Sequence, residues 1–387
     1  MTAILTITFS LFLCYGILLL YYRKGWCSIP DFKDTQEEGN VRITVIIPAR
    51  NEEDHIGTCL HSILTGDYPA PLYEIIVVND HSTDNTVAVI EALGSPQVKI
   101  IHLADHISGI QNSYKKLAIA TAIEQASGEL IVCTDADCIV PPAWLRQVAN
   151  SYASRETVFI AAPVVISEER SFIEIFQSLD FMTLQGITGA SVQLHIHSMC
   201  NGANLAYSKT AFREVNGFEG IDNIASGDDM LLMHKLYRRY PGKVHFLKSG
   251  SAIVRTAPVH SLRAFFRQRI RWASKAGHYD DKRIFVVLLL VYLFNVMMLL
   301  IPVIALFRNT QFSIVNCQLS WWGAWIILLL LKTVTELFFL YPVARFFNKT
   351  RLLYWFPLMQ PFHILYTVIA GWLGTFGTYQ WKGRRVK

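Results

Sequence analysis

The apolar positions of the chain fall into three regimes. Ala3 to Tyr22 is almost wholly apolar and about long enough to cross a bilayer. From about Cys27 to Asp281 the pattern is mixed and polar. Strong hydrophobicity then returns in Ile284 to Phe307, interrupted by Pro302, in Trp321 to Tyr341, and in Leu352 to Tyr379, broken by Pro357 and Pro361. Such near-continuous runs leave no polar face for water, which argues against buried helices of a large soluble protein. No basic stretch precedes the first run and no small-residue cleavage site follows it, so it reads as an uncleaved anchor. Arg23 and Lys24 follow it at once and predict that the next residues are cytoplasmic. The last run carries a conflict. A single crossing would put the basic tail Lys382-Gly-Arg384-Arg385-Val-Lys387 outside, whereas a re-entrant pair of half-helices would keep it inside, and the pattern leaves both open.

Between about 41 and 250, strand and helix patterns alternate. Val41 to Ile47, Tyr73 to Val78, Val98 to Leu103 and Glu129 to Cys133 read as strands. Asn51 to Leu64, Thr83 to Ala92 and Tyr114 to Ala126 read as helices. This alternation predicts an α/β fold, a mostly parallel sheet with helices on both faces. Ligands of such sheets sit at the carboxyl ends of the strands. The polar clusters fall there: Pro48-Ala-Arg50-Asn51-Glu52, Asn79-Asp80-His81-Ser82-Thr83-Asp84, and Thr134-Asp135-Ala136-Asp137.

Composition narrows the classes. Apolar residues make up 52% and charged residues 17%, below the soluble norm of about 25% charged. A net charge of +5 without a dense basic stripe does not point to nucleic acid. The cysteines number seven, without a C-x-x-C pair, which indicates neither zinc nor a disulfide framework and suggests mostly buried thiols in a reducing compartment. No G-x-G-x-x-G follows a strand and no P-loop occurs.

Asp135 and Asp137, at i and i+2 past an apolar strand, can converge on one hard cation, with Mn²⁺ or Mg²⁺ completed by ligand phosphate oxygens. Asp80 can accept from a nucleobase or ribose. Asp84 and Glu52 lie near helix starts, and for Asp84 the helix-terminal reading comes first. Ser226-Gly-Asp228-Asp229 precedes an amphipathic run. One carboxylate there can serve as a general base, the other as a helix cap; Asp229 is the functional candidate and Asp228 the structural one. Ser261 to Trp272 reads as a basic amphipathic helix, with Leu262, Phe265, Phe266, Ile270 and Ala273 on one face. Gln268, Arg271 and Trp272 share an adjoining face, surrounded by Arg263, Arg267, Arg269, Lys275, Lys282 and Arg283. Arg271 can stabilise a leaving diphosphate, and Trp272 can stack near an acceptor.

In order and spacing these residues resemble the membrane-bound family 2 glycosyltransferases with a GT-A fold, from about Val41 to Trp272. The matching elements are Pro48-x-Arg50-Asn51-Glu52, Val-Val-x-Asp80-x-Ser-x-Asp84, Asp135-Ala-Asp137-Cys138, Asn201-Gly-Ala-Asn204, Gly227-Asp228-Asp229 and Gln268-Arg-Ile-Arg271-Trp272. The resemblance implies transfer, with inversion, of a sugar from a nucleotide-sugar, UDP by family habit. It implies that Pro48, Arg50, Glu52, Asp80, Asp135, Asp137, Gln268, Arg271 and Trp272 bind the donor, with Asp135 and Asp137 on the metal. Asp229 would be the base, and Asp228, Asp229 and Trp272 would face the acceptor. Three departures stand out: Asn79 where Asp is common, Asp228-Asp229 where Glu-Asp is common, and Tyr114 where a glycine precedes the lysine. No diphosphate role is assigned to Lys115 or Lys116.

The chain thus divides into an N-terminal transmembrane anchor over 1–26, a cytoplasmic GT-A catalytic domain over 27–258, an amphipathic interfacial helix over 259–283, and a C-terminal membrane region over 284–387 with two to four segments. The expected partners are a nucleotide-sugar donor, a lipid or glycan acceptor and membrane lipids, at the plasma membrane, with an oligomer allowed. A lipid acceptor is preferred to a processive polysaccharide, because about four spans are few to surround a polymer. A non-catalytic scaffold and a transporter are the readings of other classes.

Overall fold

The computed structural model describes residues 2–33, 40–107, 113–154, 156–196, 199–224, 227–274, 282–307, 311–314, 317–376, 379–381 and 384–386. Ser226 and Lys275 of the clusters above lie outside them. The chain opens with α1 (Thr2–Ser28). It continues through β1 (Ile43–Ala49), α2 (Ile56–Leu64), β2 (Tyr73–Asn79), α3 (Thr86–Ala92) and β3 (Val98–His102). Next come α4 (Tyr114–Gln125), β4 (Leu130–Cys133), β5 (Cys138–Ile139), α5 (Trp144–Ser154), β6 (Phe159–Ala161) and β7 (Val164–Ile166). The long α6 (Phe172–Gln193) leads to β8 (Leu205–Ser208), α7 (Lys209–Glu214), α8 (Met230–Arg239), β9 (Val244–Phe246), β10 (Val254–Thr256) and α9 (Leu262–Ala273). The last part holds α10 (Lys282–Phe307), the ribbon β11 (Gln311–Ile314) and β12 (Cys317–Ser320), α11 (Trp321–Phe346), α12 (Phe356–Phe376), and the ribbon β13 (Tyr379–Trp381) and β14 (Arg384–Val386).

Seven strands form the main sheet in the order β3-β2-β1-β4-β8-β6-β9. The pairs β3-β2, β2-β1, β1-β4 and β6-β9 are parallel, while β8 runs antiparallel to both β4 and β6. The β-branched runs of β1 and β2 are buried almost throughout, as central parallel strands covered on both faces must be. Pro48 is tolerated inside β1 because its pairing with β4 ends at Ile46↔Cys133, two residues earlier. A smaller sheet, β5-β10-β7, closes the far side of the site. The expected mostly parallel α/β sheet is present, with three further short strands at one edge.

Four helical stretches among the described residues are long and apolar enough to cross a membrane: Ala3–Ser28, Lys282–Phe307, Trp321–Phe346 and Thr350–Gly374. They dock on the sheet domain through specific contacts. Trp26 is 1% exposed, with its ring 5.9 Å from Phe246 of β9 and 5.5 Å from Phe346 of α11. Arg23 donates to the Phe338 carbonyl at 2.7 Å, and Lys349 pairs with Glu169 just before α6. Ser171 and Glu174 form a capping box that starts α6. Glu174 also meets His260 at 2.8 Å, tying the start of α6 to the start of α9. The His260 ring and the Arg170 and Ser171 N–H groups draw the Glu174 carboxyl down to about 2.

The last apolar run forms one continuous helix, α12, and not a pair of half-helices. Phe265 near the start of α9 lies 6.1 Å from Phe362 and 5.4 Å from Tyr366 of α12, ring to ring. At the other end Gly374 is so close to Ala273 that an added Cβ would stand 2.5 Å from the alanine Cβ. So α12 runs alongside α9 in the same direction along the whole of α9, rather than across it.

Candidate active site

The parallel register brings the carboxyl ends of β1, β2 and β4 together, with Ala49 opposite Asn79 and Ile46 opposite Cys133. The first two turns are stitched to each other. Asn51 adopts a left-handed backbone (φ 51°), its Oδ1 accepts the Thr83 N–H at 2.8 Å, and its own N–H donates to Ser82 Oγ at 3.0 Å. Glu52 N–H donates to Thr86 Oγ1 at 2.8 Å. Asp84 accepts from the Thr86 N–H and hydroxyl and from the Glu53 N–H, which is the helix-terminal role expected of it.

Asp80 is 4% exposed. Its Oδ1 lies 2.9 Å from His81 Nδ1 and 3.9 Å from Arg50 Nη1, which also donates to the Asp80 carbonyl at 2.9 Å. The His81 ring meets Tyr114 edge-on at 5.9 Å. Arg50, Asp80 and His81 thus form one group at the start of α4.

Lys115, the next residue of α4, occupies the middle of the acidic cluster. Its Nζ is 2.8 Å from Asp135 Oδ1 and 3.3 Å from Asp228 Oδ2. Gly202 lies against the same point, because a Cβ there would stand 3.1 Å from Lys115 Nζ, 3.3 Å from Asp228 Oδ2 and 3.8 Å from Asp229 Cβ. Burial alone would lower the Lys115 pKa, but Asp135, Asp228 and Asp229 outweigh it and hold it well above the ordinary lysine value. A raised lysine pKa stabilises fully below the unfolded value of about 10.4 and is lost only as pH rises through the higher folded value. The cluster therefore keeps its central cation throughout the neutral range. Lys116 instead points inward, donating to the Ile221 and Ile224 carbonyls at 2.6 and 2.7 Å.

Asp137 receives the Cys138 thiol at 3.7 Å. Burial first, then Asp137 and Asp135, push the Cys59 thiol up to about 12, so this cysteine is an inert neighbour and not a nucleophile. Cys59, Cys133 and Cys138 are buried, Cys200 is half-buried, and Cys14 and Cys27 are exposed on α1, so burial holds for three of the described cysteines. Asp135 and Asp137 offer the hard oxygens that Mg²⁺ or Mn²⁺ takes, and such ions need only one or two carboxylates when phosphates complete the shell. Among the described residues no three His, Cys, Asp or Glu side chains converge on a metal position, and Lys115 already engages Asp135.

Asp229 caps α8 by accepting the Met230 N–H at 2.8 Å. It also lines a cavity of about 670 Å³ bounded by α1, α6, α9, α10, α11 and α12. Trp272, Asn201, Leu19, Leu288 and Phe339 line the same cavity. Asn204 is a structural anchor: it accepts the Trp144 indole N–H and donates to the Pro163 and Ala252 carbonyls.

The α9 helix starts at the Ser261 cap and puts Phe265 in the core. Two expectations for it change. Leu262 is 53% exposed, and Arg269 is not a lipid-facing cation but 4% exposed. Its guanidinium lies 2.7 Å from Asp180 of α6, with Phe265 at 4.8 Å and the Trp272 ring at 4.2 Å. Gln268 Oε1 accepts from Arg269 at 3.0 Å. Among the described residues Arg271 makes no side-chain contact with the acidic cluster. The structure thus gathers Glu52, Asp135, Asp137, Asp228 and Asp229 around Lys115 and Cys59, seats Trp272 and Asp229 on one cavity, and leaves Arg271 to one side.

The GT-A fold is the class that this sheet defines. The model of glycosyl transferase family group 2 matches residues 130–375, and that of glycosyl transferase family 2 matches residues 44–215. The chain belongs to the family 2 glycosyltransferases. It is 31% identical over 115 residues to the β-monoglucosyldiacylglycerol synthase of Synechocystis, covering 29% of this chain and 23% of that protein. It is 26% identical over 276 residues to a poly-β-1,6-N-acetyl-D-glucosamine synthase of Staphylococcus aureus, covering 70% of this chain and 63% of that protein. The chain thus spans less than two thirds of these relatives' length. In structure it resembles the mannosyltransferase PcManGT from Pyrobaculum calidifontis in complex with GDP-Man and Mn²⁺, with a TM-score of 0.58, 19% identity, and 93% and 99% of the two chains covered.

Proposed function

We propose that the protein is an inverting glycosyltransferase that moves a sugar from a nucleotide-sugar, UDP-linked by preference, to a hydroxyl of a membrane lipid at the cytoplasmic face of the plasma membrane. One observation carries this reading: Asp229 lines the same cavity as apolar side chains of α1, α10 and α12. A lipid chain in that cavity would bring its hydroxyl to a carboxylate. In this reading Asp229 removes the proton as the acceptor oxygen attacks the anomeric carbon. Pro48, Arg50, Glu52 and Asp80 hold the nucleoside end, while Gln268, Arg271 and Trp272 close over the donor. Asp137, with Asp135 once Lys115 gives way, would hold Mn²⁺ or Mg²⁺. The ion would offset diphosphate charge. Removing divalent ions with EDTA should abolish turnover, and added Mn²⁺ or Mg²⁺ should restore it. Full activity after dialysis against EDTA would end the metal assignment.

The alignment over 70% of the chain with a polysaccharide synthase favours a second reading, a processive polymerase. The apolar lining weighs against it, since a growing glycan needs a hydrated path. A donor screen in detergent followed by mass analysis of the lipid fraction decides between them. A single added sugar on lipid supports the first reading, and a product ladder supports the second.

The course of α12 beside α9 supports three crossings, α1, α10 and α11, with α12 in the plane of the inner leaflet. The basic tail then stays with the catalytic domain, as the positive-inside tendency requires. A C-terminal green fluorescent protein fusion should fluoresce in bacterial cells, and a C-terminal alkaline phosphatase fusion should be inactive. The reverse pair of results would restore a fourth crossing.

A further inference from the structure

Behind Trp272 lies a polar chain that the transfer reaction itself does not use. Asp180 is 8% exposed and Arg269 4%, and both sit among apolar side chains. Asp180 Oδ2 stands 2.7 Å from Arg269 Nη2 as an ion pair, and its Oδ1 accepts the Tyr366 hydroxyl at 2.5 Å. Three helices that are far apart in sequence thus meet at one carboxylate: α6, α9 and α12. The guanidinium so paired lies over the Trp272 ring, 4.2 Å from its centroid, and Phe181, beside Asp180, approaches the same ring at 6.1 Å. Asp180, Arg269, Tyr366 and Trp272 all line the cavity that reaches Asp229.

We infer that Asp180, Arg269 and Tyr366 are positioning residues that fix the indole of Trp272 as one wall of the acceptor's apolar channel. A tryptophan on a helix surface has several rotamers, and a charged pair that is desolvated and stacked on it selects one. Burial of the pair suits this task better than general stability, since such a pair is often no more stabilising than apolar residues of the same volume. Tyr366 extends the device into α12, so the membrane helix that flanks the cavity also sets the indole. The inference rests on the assignment of the cavity to the acceptor's lipid part.

The test uses the full chain in dodecyl maltoside, with brominated dodecyl maltoside as the alkyl probe. Quenching of Trp272 is the difference between wild type and Trp272→Phe. UDP or GDP binding, whichever the wild type shows, reports an intact donor side. Asp180→Asn and Arg269→Lys should each reduce the Trp272 quenching component at least twofold with nucleotide binding retained. Lysine keeps the charge but loses the planar stacking fork. Tyr366→Phe, which removes one hydroxyl and no charge, should shift the component in the same direction and carries the test if the other variants do not fold. An unchanged component in variants that still bind nucleotide overturns the positioning role alone. A wild type with no Trp272 component overturns both this role and the cavity's assignment to a lipid chain.

Discussion

Asp229→Asn is expected to slow sugar transfer on the order of 10³-fold, within the range that a positioned general base contributes, while nucleotide binding survives. Asparagine separates the two tasks this side chain performs. As a cap, Asp229 Oδ1 accepts the Met230 N–H at 2.8 Å, and an asparagine oxygen can do the same with little cost to α8. The acidic cluster also survives, because the direct partners of Lys115 are Asp135 and Asp228. Only the capacity to take a proton from an acceptor hydroxyl disappears. Asp228→Asn makes the useful contrast. It weakens the ion pair with Lys115 but leaves the base in place, so its loss should be tenfold smaller or less. The measurements are nucleotide release in single-turnover and steady-state assays, together with calorimetric nucleotide binding. Undiminished turnover in purified Asp229→Asn would remove the base assignment.

What could be read in the sequence, and what could not, follows the range of the interactions. The strands β1 to β4 were legible because each is a β-branched or apolar run, and β1, β2 and β4 end in polar clusters that a parallel sheet places together. The strands β6, β8 and β9 were not, since they are runs of three or four residues and, unlike the equally short β4, none leads into an acidic cluster. Asp84 was legible as a helix-terminal carboxylate because one of its partners, Thr86, is a near neighbour. Lys115 is not legible, because no glycine precedes it and its partners Asp135 and Asp228 lie on other elements. The available signal was a pair of adjacent lysines in the first turn of a helix, where the helix dipole does not favour cations. The course of α12 was undecidable from hydropathy, which records length and apolarity but not the direction of packing. Phe265, Phe362 and Tyr366 settle that direction, and none is distinctive by itself.

Arg269 carries the second large effect, because sequence and structure give it opposite environments. Read as one of several cations on a lipid-facing helix, its loss should resemble that of Arg263 or Arg267. The structure instead buries it against Asp180, and removing one partner of such a pair leaves a largely desolvated charge without compensation. That situation costs about 3–5 kcal/mol. Arg269→Ala is therefore expected to lower the melting temperature in detergent by roughly 6–20 °C, taking about 2–4 °C per kcal/mol for a chain of a few hundred residues. Arg263→Ala and Arg267→Ala, on the exposed face of the same helix, should stay within about 0.5 kcal/mol. The double variant Asp180→Leu with Arg269→Met supplies the control. Replacing both charges with apolar side chains removes the stranded carboxylate, so much of the lost stability should return. If Arg269→Ala melts with the wild type, or the double variant is no better than the single one, the pair is not buried as the structure has it. The contrast also bears on catalysis. The double variant should recover stability but not the stacked guanidinium, so thermal recovery without recovery of transfer would separate the folding of α9 from the setting of Trp272.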